Sequence, residues 1–230
     1  MNSNNRTLVW DLPTRLFHWL LALAVIGLVV TGKVGGNLID WHGRIGLVVA
    51  GLIVFRLVWG VLGSTYARFA TFFPTPGRIA AYLRGEWRGL GHNPLGALSV
   101  FALIGVLTVQ LLTGLVANDD IAFAGPLHDL VGRDFSNLAT SWHRLAVNVL
   151  IVLVVLHLAA IMFYAHVKKD NLVKPMVRGW KEGGGEPARG GGLVALLVAL
   201  ALAAAAVYAA SGAWLPEPPP PPPAVTTPAW

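Results

Sequence analysis

The chain has 230 residues, 55% hydrophobic and 12% charged, against about 25% charged in an ordinary soluble domain. Its apolar residues come in blocks of membrane-crossing length rather than in amphipathic stripes, which excludes a soluble globule and predicts an all-α integral membrane protein. Zero cysteines exclude disulfides, thiolate metal sites, iron–sulfur clusters and covalently attached c-type haem. The formal charge of +6 sits in short connections beside the apolar blocks, a membrane-topology pattern and not a nucleic-acid face.

Residues 1–15 are polar, with Arg6, Asp11 and Arg15, and show no secretory cleavage pattern. A first span is expected over 16–31, with His18 near its start. After a glycine-containing turn, a second span covers 45–62, with His42 at its mouth and Arg56 inside it. The polar connection 63–93 carries Arg68, Arg78, Arg84 and Arg88 and is broken by Pro74 and Pro76. Pro94 suits the first turn of a third span over 94–117. Residues 118–140 are expected as a long acidic loop, and 141–165 as the fourth span. Residues 1–182 thus form a four-helix transmembrane unit. A glycine-rich segment, 183–192, has the composition of a flexible linker. An additional transmembrane helix (193–211) and a Pro-rich tail (212–230) follow; its proline run 216–223 favours polyproline II.

Lys and Arg set the expected orientation. Arg6, Arg15, the four arginines of 63–93, and Lys168, Lys169, Lys174, Arg178, Lys181 and Arg189 fall on one side. The positive-inside rule makes that side cytoplasmic, with the N-terminus inside and the proline tail outside, in a bacterial inner membrane. The opposite side keeps Lys33, Arg44, Arg133 and Arg144 with the acidic loop.

The fourth span reads WHRLAVNVLIVLVVLH, with His143 and His157 fourteen residues apart. Fourteen residues are nearly four turns and about 21 Å of helix, so both imidazoles leave one face at opposite depths. Ionisable groups at such depths are costly and mark function. Depth pairs His42 with His143 at the outer level and His18 with His157 at the inner level. Each pair can flank one flat metal complex, and a haem between helices meets that requirement. Zinc or copper transport is the other reading of the same histidines, but it wants denser clusters with carboxylates.

Arg56 follows His42 by fourteen residues and reaches the inner level, where it would pair with a haem propionate or snorkel to headgroups. Arg44 and Arg144 adjoin the outer histidines as propionate partners or interface charges. Gly27, Gly32, Gly46, Gly51, Gly105 and Gly114 would admit a macrocycle or close helix packing. Gln110 and Asn148 are the intramembrane amides, and Asn148 is a candidate for orienting an outer ligand or for an interhelical bond. His92, His128 and His166 lie in loops or at a helix end, and the loop histidines are expected to be solvated.

These residues resemble the bacterial cytochrome b561 and nickel–iron hydrogenase b-type cytochrome family over 8–182. The matching stretches are VWDLPTRLFHW with His18, WHGRIG with His42, FRLVWG with Arg56, HNPLG, TGLVANDDI, WHRLAVN with His143 and then His157, and NLVKPMVRGWK. The resemblance implies a four-helix bundle holding two b haems on spans one, two and four, and electron transfer across the membrane, commonly with a quinone. It says nothing of 193–230. The acidic loop 118–140 would dock a basic periplasmic donor such as a c-type cytochrome by charge complementarity, while the resemblance implies a dehydrogenase or hydrogenase subunit as the redox partner. A stand-alone quinone reductase resembling a superoxide oxidase is one alternative, and a non-redox metal transporter or membrane anchor is the contrasting class.

Overall fold

The computed structural model describes residues 6–121 and 123–216. Its elements in chain order are β1 (Arg6–Leu8), α1 (Leu12–Val34), α2 (Ile39–Leu62), α3 (Phe69–Phe72), α4 (Pro76–Leu83), α5 (Pro94–Val116), α6 (Arg133–His166), α7 (Val173–Arg178), β2 (Trp180–Glu182) and α8 (Gly192–Ala210). Helices α1, α2, α5, α6 and α8 are apolar and 19 to 34 residues long. At about 1.5 Å per residue each can cross, or nearly cross, a hydrocarbon layer about 30 Å thick. The chain is a multi-pass membrane protein. Leu20, Leu23, Ile26, Val152, Val155 and Leu156 are exposed, as lipid-facing side chains are.

Capping residues explain why the helices outrun their apolar blocks. Asp11 accepts the Thr14 N–H at 2.7 Å with Pro13 in the first turn, so α1 starts at Leu12 rather than 16. Asn93 accepts the Gly96 N–H at 2.7 Å and Pro94 opens α5. Helix α2 begins at Ile39, which puts His42 inside its first turns. The expected loop 118–140 is helical from Arg133 onward. Its polar residues face hydrogen-bond partners: Ser136 Oγ donates to Val116 O at 2.7 Å, and Asn118 Nδ2 donates to Ser136 Oγ at 2.5 Å. The acidic loop is thereby tied down over one end of the bundle, the acidic end. Segments 63–93 and 167–191 close the other, basic end.

Helix α2 is the hub, packed against α1, α5 and α8, while α5 pairs with α6. Val49 and Ile53 of α2, Leu107 of α5 and Leu150 of α6 form one buried cluster, with Leu21, Val25 and Leu28 of α1 against it. Phe17, Phe55, Trp59, Ala67 and Ala199 form a second, nearer the basic end. Helix α8 is part of this core. Ala199 is fully buried, and a Cβ on Gly51 would meet Val207 at 2.9 Å. Small residues let two helices approach closely in lipid, where packing and not the hydrophobic effect joins them.

The glycine-rich segment is anchored along its course and does not run free. Thr65 N–H donates to Arg189 O at 2.8 Å, Ala188 N–H to Leu8 O at 2.8 Å, and Tyr66 Oη to Glu186 O at 2.6 Å. Strand β1 pairs antiparallel with β2, Thr7 opposite Lys181. Backbone groups at this end thus find partners across the chain. The tail from 217 onward lies outside the described residues.

Candidate cofactor site: two stacked histidine pairs

Helix α6 places His143 near the acidic end and His157 toward the basic end of one face. The His42 and His143 rings have centroids 6.0 Å apart, with an interplanar angle of 81°. The His18 and His157 rings are 6.4 Å apart at 47°. Two metal–imidazole bonds of about 2.0 Å, with the ring radii added, put centroids about 6 Å apart. Both gaps therefore fit one metal ion between two imidazoles. Among the described residues no three His, Asp or Glu side chains gather as a protein-only metal centre would need, so such an ion must bring its remaining ligands with it.

At the acidic end a cavity of about 540 Å³ opens beside the rings, lined by His42, His143, Gly46, Leu107 and Gln110, with Lys33 and Arg144 at it too. That is the size range of small-molecule and cofactor sites. Both imidazoles are held through Nδ1. His42 Nδ1–H donates to Leu28 O at 3.0 Å and lies 3.3 Å from Thr31 Oγ1. His143 Nδ1–H donates to Gln110 O at 2.9 Å and lies 3.2 Å from Thr113 Oγ1. Phe123, from the loop above, lines the same cavity and packs on Gly43.

The basic end is built differently. Arg56 is 3% exposed, so it does not snorkel to the surface. It donates to Ala67 O at 3.0 Å and lies 4.5 Å above the Phe69 ring. His92, expected as a solvated loop residue, stands between Trp10 (4.6 Å) and Phe72 (4.5 Å). Burial, then the charges of Arg56, His18 and His157, push His92 down to about 3, so it is neutral at physiological pH. Among the described residues six buried polar atoms lack a partner: Thr14 Oγ1, Arg15 Nε, His18 Nδ1, Ser64 Oγ, Arg68 Nε and His92 Nδ1. All belong to residues at this end, and buried polar atoms normally have partners. A polar or anionic group seated here would supply them.

The two pairs are separated by packed side chains. Leu150 stands seven residues from each α6 histidine, and Val49 seven residues from both His42 and Arg56; both are buried in the same apolar cluster.

Of the other expected residues, Arg144 lines the acidic-end cavity and Arg44 does not; the Arg44 guanidinium lies 5.3 Å from the Trp41 ring centre. Asn148 is exposed and donates to Arg144 O of its own helix at 3.2 Å. His128 faces Asp129 at 3.1 Å, and His166 donates to Met162 O at 3.0 Å, away from both pairs. Thr31, Thr113 and Lys33 were not singled out by sequence as site residues. The repeated Thr-Gly dipeptide, 31–32 and 113–114, was the available signal.

The family model described as prokaryotic cytochrome b561 matches residues 9–179. The chain is 27% identical over 213 residues to a probable Ni/Fe-hydrogenase B-type cytochrome subunit of Azotobacter vinelandii, covering 75% of this chain and 87% of the relative. A protein of the same description from Cupriavidus necator is 26% identical over 219 residues, 78% and 88% covered. A probable Ni/Fe-hydrogenase 1 B-type cytochrome subunit of Escherichia coli is 22% identical over 213 residues, 75% and 89% covered. No solved structure matches the chain. With most of the bundle inside the matched region, the chain belongs to the prokaryotic cytochrome b561 family, membrane proteins that bind b-type haem and carry electrons.

Proposed function

We propose that the bundle holds two b-type haems, one between His42 and His143 at the acidic end and one between His18 and His157 at the basic end, and that it conducts electrons across the membrane between them. The observation that supports this reading is the pair of ring separations, 6.0 and 6.4 Å, by which two histidines on one face of α6 each meet a histidine of another helix. When bound between two histidines, a haem supplies one-electron transfer with no open iron position. The chain's own part is to hold the imidazoles, exclude water and set the electrostatics. Arg56 and His92 would hold the carboxylates of a basic-end haem, and Lys33 and Arg144 those of an acidic-end haem.

The basic end faces the cytoplasm on the distribution of lysine and arginine, in a bacterial inner membrane. The relatives named as hydrogenase cytochrome subunits support a hydrogenase- or dehydrogenase-type partner at the acidic end, with quinone as the other redox partner. The purified full chain tests the reading. Two haems b per polypeptide and two redox midpoints are expected; a chain purified intact with no haem, or with one, overturns it.

A further inference from the structure

The two hairpins of the core repeat one short pattern. In α1–α2, Thr31–Gly32 stands in the last turn of one helix and Trp41–His42 in the first turns of the next. In α5–α6, Thr113–Gly114 likewise stands in the last turn, and Trp142–His143 follows on the next helix, where its longer N-terminal extension puts His143 ten residues after Arg133. The contacts repeat as well. The carbonyl that receives each Nδ1–H, Leu28 O or Gln110 O, lies three residues before the threonine and four before the glycine.

Each part of the pattern has a separate physical job. A Cβ on Gly32 would sit 2.9 Å from His42 Cε1, and one on Gly114 3.0 Å from His143 Cε1. The ring edge therefore occupies the volume that any other residue would fill. Gly105, also on α5, has nothing within 4 Å, so this crowding is not general to the helix's glycines. Thr31 Oγ1 donates its proton to Gly27 O at 2.7 Å, and Thr113 Oγ1 to Val109 O at 2.6 Å. Each hydroxyl has then spent its only hydrogen and offers the imidazole lone pairs alone. The carbonyl and the spent hydroxyl facing each Nδ1 are acceptors, so Nδ1 carries the proton and Nε2 keeps its lone pair; the Gln110 side-chain amide, 3.3 Å from His143 Nδ1, is taken up by the backbone of His143 and Val147.

We propose that Thr31–Gly32 and Thr113–Gly114 are matched positioning residues that seat His42 and His143, fix both as Nδ1–H tautomers and free both Nε2 atoms for a metal. This rests on the haem reading above. Two acceptors on each Nδ1–H also make Nε2 a stronger donor, which favours the ferric state and holds that site's midpoint down. At the basic end His18 Nδ1 is enclosed without such a partner.

The test uses the full chain in detergent, with haem content, the reduced-minus-oxidised spectrum and a redox titration as readouts. Gly32→Ala or Gly114→Ala is expected to lower haem from two per chain towards one, the lost component being the one that His42→Ala also removes. Gly77→Ala, on α4 with nothing within 4 Å of the added Cβ, should keep both. Thr31→Val and Thr113→Val, which keep side-chain shape, are expected to raise the acidic-end midpoint while the basic-end midpoint stays. If the glycine variants match Gly77→Ala and the threonine variants leave both midpoints in place, the proposal is overturned. If the glycine variants fail to fold, the threonine titrations alone decide in the same sense. A wild-type chain without two haems would sink the parent reading instead, so the two failures are distinguishable.

Discussion

At the acidic end two imidazoles are each moored to a helix carbonyl beside a cavity with Lys33 and Arg144 at it. At the basic end His18 has an unpartnered Nδ1, and a buried guanidinium stands on α2 in the register that His157 occupies on α6. Arg56 follows His42 by fourteen residues just as His157 follows His143. Half of the repeat carries a histidine at that depth and the other half a buried cation. On the two-haem reading proposed above, one ligand set would be tuned from two directions: electron-rich imidazoles would favour ferric iron at one end, and a desolvated positive charge would favour ferrous iron at the other. Electrons are expected to run downhill from the acidic end to the basic end.

The largest effect comes from removing a ligand at one end alone. His157→Ala should remove the basic-end haem and leave the acidic-end spectrum, because the apolar layer at Val49, Ile53, Leu107 and Leu150 isolates the sites. His143→Ala should do the converse. Haem stoichiometry with difference spectra checks both; loss of both haems from a folded His157→Ala chain would refute independent sites.

A smaller effect tests the cation. At an effective dielectric constant near 20 and a distance of roughly 8 Å, one charge contributes about 2 kcal/mol, or on the order of 90 mV for one electron. Arg56→Leu should therefore lower the basic-end midpoint by tens of millivolts and leave the acidic-end midpoint in place. A redox titration in which the acidic-end midpoint moved instead would reverse the assignment of ends.

The helices and the four histidines were legible because helical periodicity fixes both depth and azimuth. His143 and His157 share a face by their spacing alone, and alternating loop charge assigns the levels at which His18 and His42 meet them. The same arithmetic explains Asn148, which is five residues from His143 and so about 140° around the helix. It projects from a different face of the helix than His143. The threonine–glycine seats were hidden for another reason. Threonine and glycine are common in membrane helices, and the acceptor for His143 is a carbonyl 33 residues away. The bound course of 183–192 was illegible too, since glycine content reports a chain's freedom and not its partners. His92 was read as a solvated loop residue because nothing local in HNPLG shows that Trp10 and Phe72 enclose it.

The smallest effect sharpens the contrast of burial. Arg144 lines the acidic-end cavity yet is exposed, as is Lys33 beside it. An exposed charge sees a dielectric nearer that of water and is screened by salt within about 10 Å at 0.1 M. Arg144→Gln should thus lower the acidic-end midpoint by only about 20 mV, corresponding to roughly 0.5 kcal/mol for an exposed pair. That shift should shrink as ionic strength rises, whereas the Arg56→Leu shift should hardly change, because salt does not reach a buried charge. Titrations at low and high salt separate the two cases. A shift at Arg144 as large and as salt-insensitive as that at Arg56 would mean the acidic-end site is as sealed as the basic-end one, and the electrostatic difference between the ends would vanish.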